Sequence, residues 1–140
     1  MRRQFLVAAA VTGIAPLFAA AQTDGPRITR VVVQVSDADP ARWNLVLNNV
    51  RNLQDALGQS GVMIEIVAYG PGIGMLRFDA PSSARVSEAI KNGVAVQACE
   101  NTMRGQRLVR ADMNPNVSYV PAGVVQIIQR QQQGWAYLRP

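Results

Sequence analysis

Val94-Ala95-Val96-Gln97-Ala98-Cys99-Glu100-Asn101-Thr102-Met103 is an apolar run that ends in the only cysteine of the chain and passes at once into residues that start helices. This order predicts a buried strand, Val94 to Cys99, handing over to a helix. It places the thiol at the carboxyl end of a strand. In a parallel α/β sheet, ligands and reactive groups collect along that edge. Free amides at a helix N-terminus favour a negative charge held against them, and a thiolate is such a charge. The setting can lower a cysteine pKa from about 8.5 toward neutrality and make the sulfur nucleophilic. A thiol that ends a core strand can equally be packed and inert, because free Cys is among the most buried residue types. Local sequence leaves both roles open.

Upstream, Asp79-Ala80-Pro81-Ser82-Ser83 opens a helix to about Asn92, with Ala84, Val86, Ala89 and Ile90 apolar and Gly93 as its stop. Val62 to Ala68 is a second apolar strand, interrupted only by Glu65, and it runs into Tyr69-Gly70-Pro71-Gly72-Ile73-Gly74. Three glycines in five residues let the backbone turn sharply and bring its amides close to a bound group. A plain strand-to-helix connection would use them too. The spacing is neither a Walker A loop nor GxGxxG. If strands two and three are parallel, this loop and Cys99 share one edge of the sheet. Gly70, Gly72, Gly74, Asn101 and Thr102 are therefore candidate ligand-binding positions around Cys99, the candidate catalytic residue.

Further out, Ile28 to Val35 is β-branched and nearly continuous, as a strand covered on both faces should be. Asp39-Pro40 supplies an N-cap followed by proline at the first helical position. Trp43, Val46, Val50, Leu53 and Leu57 then recur at helical spacing until Gly58. After Cys99, Asn101 and Thr102 can cap a short helix containing Met103 and Leu108, weakened by Gly105 in its interior. Asp112 to Asn116 reads as a loop and Val117 to Val120 as a short strand. A helix follows from Gly123 to Gln133 with Val124, Ile127 and Ile128 on its inner face. Trp135 to Arg139 alternates as an edge strand does. The order βαβαβαβαβ predicts an α/β fold: a three-layer α/β/α arrangement with a mainly parallel five-stranded sheet.

The chain of 140 residues, 49% hydrophobic and 16% charged, has the length of one globular domain. Its first stretch stands apart. Arg2 and Arg3 precede an apolar run from Phe5 to Ala21, and Ala19-Ala20-Ala21 carries the small residues a signal peptidase accepts. Residues 1–21 are expected to be a signal peptide and residues 22–140 the mature domain. The run is short and alanine-rich for a permanent anchor, so no stable membrane anchor is expected after cleavage. Arg2-Arg3-Gln4-Phe5-Leu6 resembles a twin-arginine signal, although the general secretory route is favoured because paired basic residues are common in ordinary leaders. Either route predicts a periplasmic protein.

Loss of Arg2 and Arg3 lowers the formal charge from +5 to +3, and the remaining basic residues are scattered singly. No nucleic acid partner is expected from such a distribution. One cysteine cannot form an internal disulfide framework. The absence of histidine excludes Cys-His and Ser-His-Asp hydrolases in their usual forms and removes the commonest transition-metal ligand. Neither a metal nor another cofactor is expected.

Gln34-Val35-Ser36-Asp37, Ala68-Tyr69-Gly70-Pro71-Gly72-Ile73, Ala98-Cys99-Glu100-Asn101-Thr102-Met103, Tyr119-Val120-Pro121-Ala122-Gly123-Val124 and Gly134-Trp135-Ala136-Tyr137 together resemble the DsrE/DsrF-like family. The resemblance runs from about Thr29 to Pro140. It implies a parallel α/β/α fold, a homo-oligomer (trimer or hexamer) and persulfide relay, with Cys99 at the position of the sulfur-carrying cysteine. The chain departs from the sulfur-relay members in carrying an export signal, which leaves the sulfur donor and acceptor thiol open. Three functions compete: an exported sulfur-trafficking protein, a module holding a small anionic ligand between the glycine loop and the amides after Cys99, and a structural homo-oligomer with an inert thiol. Self-association through apolar outer faces is expected in each, since an edge strand carrying Trp135 and Tyr137 is a liability in a monomer.

Overall fold

Val31, Val32, Val33 and Val35 are all buried, which is what a nearly continuous valine run demands: apolar cover on both faces of its strand. The computed structural model describes residues 25–140 and supplies that cover. The expected signal peptide, 1–21, and its cleavage point near Ala21 lie outside the described residues. Five strands, β1 (Thr29–Val35), β2 (Val62–Ala68), β3 (Ala95–Cys99), β4 (Ser118–Val120) and β5 (Ala136–Leu138), form one sheet in the order β4-β3-β2-β1-β5. All neighbouring pairs are parallel. The fold is the expected α/β class, and β5 is an edge strand against β1. No helix among the described residues is long and apolar enough to cross a membrane.

Helices α1 (Pro40–Leu57) and α2 (Ser83–Lys91) cover one face of the sheet. The Asp39 carboxylate accepts the Ala41 N–H at 2.9 Å, and Gly58 at φ +78° ends α1. Trp43, Val46, Leu47 and Val50 point into the larger core with Val33, Ile64, Ile66, Val86 and Val96. Leu57, in the last turn of α1, is 44% exposed. Ala84 of α2 is likewise exposed, and Val86 and Ala89 carry the contact.

The other face carries α4 (Gly123–Gln132) over a much smaller core of Val32, Val67, Ile127 and Trp135. The expected inner face of α4 is corrected here. Ile127 is buried, whereas Val124 (50%) and Ile128 (48%) are exposed. The reason lies on β2, where Glu65 is 1% exposed and must be paired. Arg130 and Gln126 reach it, with Arg130 Nε and Nη2 each 2.7 Å from Glu65 Oε2. The helix is therefore rolled so that Gly123, Gln126, Ile127 and Arg130 face the sheet. Burying one isoleucine is worth only about 1.5–3 kcal/mol, so this polar anchor supplies the direction that the apolar contact lacks.

Two connections differ from expectation. Residues after β2 wind into a 3-10 helix, Gly70–Leu76, whose Ile73, Met75 and Leu76 are buried, because the chain dives back into the core rather than looping over it. Helix α3 (Glu100–Gly105) begins before Asn101, with Cys99 itself at the cap position. Gly105 is thus its last residue rather than an interior one, and Leu108 falls beyond it.

Candidate functional site

The parallel register aligns the strand ends that build the site. Val35 pairs with Ala68, Ala68 with Ala98, and Cys99 with Val120. The turns leaving β2, β3 and β4 therefore emerge side by side, and Cys99 lies between the other two. Asn101 N–H donates to Pro121 O at 3.1 Å, which ties the start of α3 to the turn before α4.

Within this frame the Cys99 sulfur accepts the Gly123 N–H at 3.2 Å. Gly123 opens α4, and the first amides of a helix have no partner inside it. Glycine is needed there for proximity: a Cβ at 123 would lie 3.0 Å from Tyr69 Cβ, 3.2 Å from Val67 Cγ1 and 3.3 Å from Cys99 Cβ. On the other side stands Thr102, whose Oγ1 accepts the Gly70 N–H at 2.9 Å. One lone pair of that oxygen is thus engaged by Gly70, and its hydroxyl proton is free to turn to the sulfur. Gln106 Nε2 donates to Gly70 O at 3.1 Å, so α3 and the residue after it grip both ends of the Gly70 residue.

Cys99, the last residue of its strand, is only 4% exposed. Burial is the largest influence on its pKa and pushes it up. The Thr102 hydroxyl, the Gly123 N–H and the neighbouring N–H groups of Thr102 and Asn101 together outweigh it and hold the thiol below its ordinary value. Gly123 makes the well-aligned amide bond. The amides of α3 form no cap bond to the cysteine side chain and act mainly through their field, and that of Asn101 is already bonded to Pro121. Glu100, whose charge would oppose a thiolate, turns to Arg110 at 3.9 Å, and Arg110 stacks on Tyr119 at 4.2 Å.

Of the positions singled out in the sequence, the structure brings Gly70, Thr102 and the Asn101 backbone to Cys99. Gly72 and Gly74 sit elsewhere in the turn, against the end of β1 and the Trp43 ring. Gly123 is absent from those candidates, and its signal in the sequence is a glycine that opens a helix straight after a short strand. Thr102→Val should raise the thiol pKa and cost about 1 kcal/mol by stranding the Gly70 N–H. Titration of the thiol and denaturant unfolding of the same variant check both effects.

No protein-family model matches the sequence, nor does any curated protein. Among solved structures, MTH1491 from Methanobacterium thermoautotrophicum, a protein of unknown function, is 42% identical, with a TM-score of 0.76 over 80% of this chain and 99% of that one. The chain belongs to the same family as MTH1491. BT1422 from Bacteroides thetaiotaomicron, a conserved protein also of unknown function (12% identity, TM-score 0.66, 79% of this chain and 94% of that one), shares the fold with this MTH1491 relative. So does the ychN protein of E. coli (14% identity, TM-score 0.63, 81% of this chain and 100% of that one).

Proposed function

We propose that this relative of MTH1491 is a DsrE/DsrF-like sulfur carrier that takes up one sulfane sulfur at Cys99 and passes it to another thiol. The observation that carries the reading is a cysteine whose sulfur receives the Gly123 amide at 3.2 Å and the field of a second helix start, in a protein that brings no base to it. Relay chemistry asks for a thiolate and little else. The Cys99 thiolate attacks the terminal sulfur of a persulfide R–S–SH. A new S–S bond forms, the old one breaks, and R–S⁻ leaves with the electron pair, so that Cys99–S–SH remains with no net oxidation. A second thiolate then attacks the outer sulfur, and Cys99 departs as thiolate, the form its donors favour. The amide of Gly123 and the hydroxyl of Thr102 stabilise that leaving group. Gly70 and Asn101 hold these donors in place.

The same proposal includes export through residues 1–21, a periplasmic location, and assembly as a trimer or hexamer. Val124 and Val125 (each 50% exposed), Ile128 (48%) and Tyr137 (44%) form an apolar surface along α4 and β5 that favours self-association. The 4% exposure of Cys99 favours a second reading, a packed and inert thiol. Intact mass measurement after polysulfide treatment of the native protein separates the two. A carrier gains sulfur that a reductant removes, and a packed thiol gains none.

A further inference from the structure

The sheet-facing stripe of α4 is unusual in its chemistry. Gly123, Gln126, Ile127 and Arg130 recur at helical spacing, and among them only Ile127 is a large buried apolar residue. An isoleucine contact is non-directional and lets a helix slide or roll. The Glu65 carboxylate is directional. Its Oε1 accepts from Gln126 Nε2, and its Oε2 accepts from Arg130 Nε and Nη2 at 2.7 Å each. Arg130 is fixed in turn, with its guanidinium 4.8 Å over the Trp135 ring and Nη1 donating to Gln133 Oε1 at 3.0 Å. Glu65 lies on the central strand β2, opposite Val32 of β1 and Ala95 of β3. The carboxylate therefore marks one fixed point on the sheet beneath the middle of the helix.

We infer that Glu65, acting through Gln126 and Arg130, is a positioning residue for Cys99: it sets the register of α4 on the sheet and so holds the Gly123 amide against the sulfur. The inference rests on the proposed reading of Cys99 as a working thiol. Arg130 lies two helical turns from Gly123, and a slide of one residue moves a helix by about 1.5 Å. Such a slide takes the 3.2 Å contact between Gly123 N and the sulfur out of hydrogen-bond range. Among the apolar residues of α4 only the buried Ile127 opposes it, through a contact without direction, since Val124, Val125 and Ile128 are about half exposed. A buried ion pair is a poor source of net stability, but the two oxygens of Glu65 meet donors from two turns of α4 and so fix where the helix sits. Here the geometry specified is that of the donor to Cys99.

The test is titration of the Cys99 thiolate by its ultraviolet absorbance, read as a difference against Cys99→Ser, together with hydrogen exchange at the Gly123 amide. The titratable or charged groups that face the sulfur's surroundings are Glu100, turned to Arg110, and Tyr69, packed beneath Gly123. Arg130 is the cation facing Glu65. In Glu65→Gln the thiolate midpoint is expected to rise by about one pH unit, a tenfold loss of thiolate at a given pH below it, and Gly123 exchange to accelerate. The double variant Glu65→Leu/Arg130→Leu replaces the pair by apolar contact, a change that proteins often tolerate, and decides the matter should the single variant not fold. It is expected to show the same rise. A folded double variant with the wild-type midpoint and wild-type Gly123 exchange overturns the inference alone. A wild-type protein that shows no thiolate below the ordinary thiol range overturns the reading of Cys99, and this inference with it.

Discussion

Cys99→Ser is expected to lose all sulfur uptake while folding normally and changing in stability by less than about 1 kcal/mol near neutral pH. Placing a hydroxyl in a core without partners costs about 1–3 kcal/mol, but partners wait at this position. The Gly123 N–H that meets the sulfur at 3.2 Å can meet the serine oxygen, and so can the Thr102 hydroxyl. The comparison becomes informative as pH changes. The folded-state pKa of Cys99 is held below its unfolded value, so in the interval between the two the unfolded chain binds more protons and stability rises with pH. The contribution is fully present above the unfolded thiol value and is lost as pH falls through the folded one. The serine variant has no such term. Wild type should therefore gain on Cys99→Ser as pH rises, in denaturant melts run at matched pH, with other titrating groups cancelling in the difference. A gap that stays flat, or a variant that still takes up sulfur, defeats the assignment of Cys99.

The elements that could be read from sequence are those whose signals are local. The Val31 to Val35 run needs both faces covered wherever it lies in the sheet, and Asp39-Pro40 caps α1 with groups two residues apart. The order of strands and helices fixed the parallel sheet, and with it the common edge of Gly70 and Cys99. What was not legible depends on partners distant in sequence. Val124, Ile127 and Ile128 make the more apolar stripe on α4, yet Glu65, more than fifty residues earlier, rolls the helix to present Gln126 and Arg130 instead. The one charged residue in an apolar strand was the sign of it. Likewise Asn101 and Thr102 are strong helix-capping types. Register places Val120 beside Cys99, Asn101 N–H finds Pro121 O, and the helix starts early enough to put the thiol at the cap. The glycine-rich turn was legible as a turn. Where each glycine goes is a tertiary question: Gly72 lies against the end of β1, Gly74 against the Trp43 ring, and the Gly70 N–H against the Thr102 hydroxyl.

Gly72→Ala is expected to be the most destabilising small substitution in that turn, on the order of 3 kcal/mol. The reason is close approach rather than backbone strain, since Gly70 has a left-handed φ of +53° and Gly72 does not. A Cβ on Gly72 would lie 2.2 Å from Val35 O, 2.5 Å from Val35 C and 2.8 Å from Ser36 Cα. All three are backbone atoms, and none can rotate away. Relief requires the end of β1 to move, but Val35 O also accepts the Tyr69 N–H at 3.1 Å, and Tyr69 lies beneath Gly123. The strain therefore travels toward the Cys99 site along the same strand edge. Gly74→Ala provides the internal contrast: its Cβ would meet the Trp43 ring at 3.2 Å, a side-chain contact that can give by a few tenths of an ångström, so about 1 kcal/mol is expected. In a domain of this size about 3 kcal/mol lowers the melting temperature by roughly 10 °C. Thermal unfolding of the two variants side by side is the measurement. If Gly72→Ala melts with wild type while losing a bound anion, Gly72 serves a ligand; if it melts far below Gly74→Ala, the residue is there to let β1 and the turn touch.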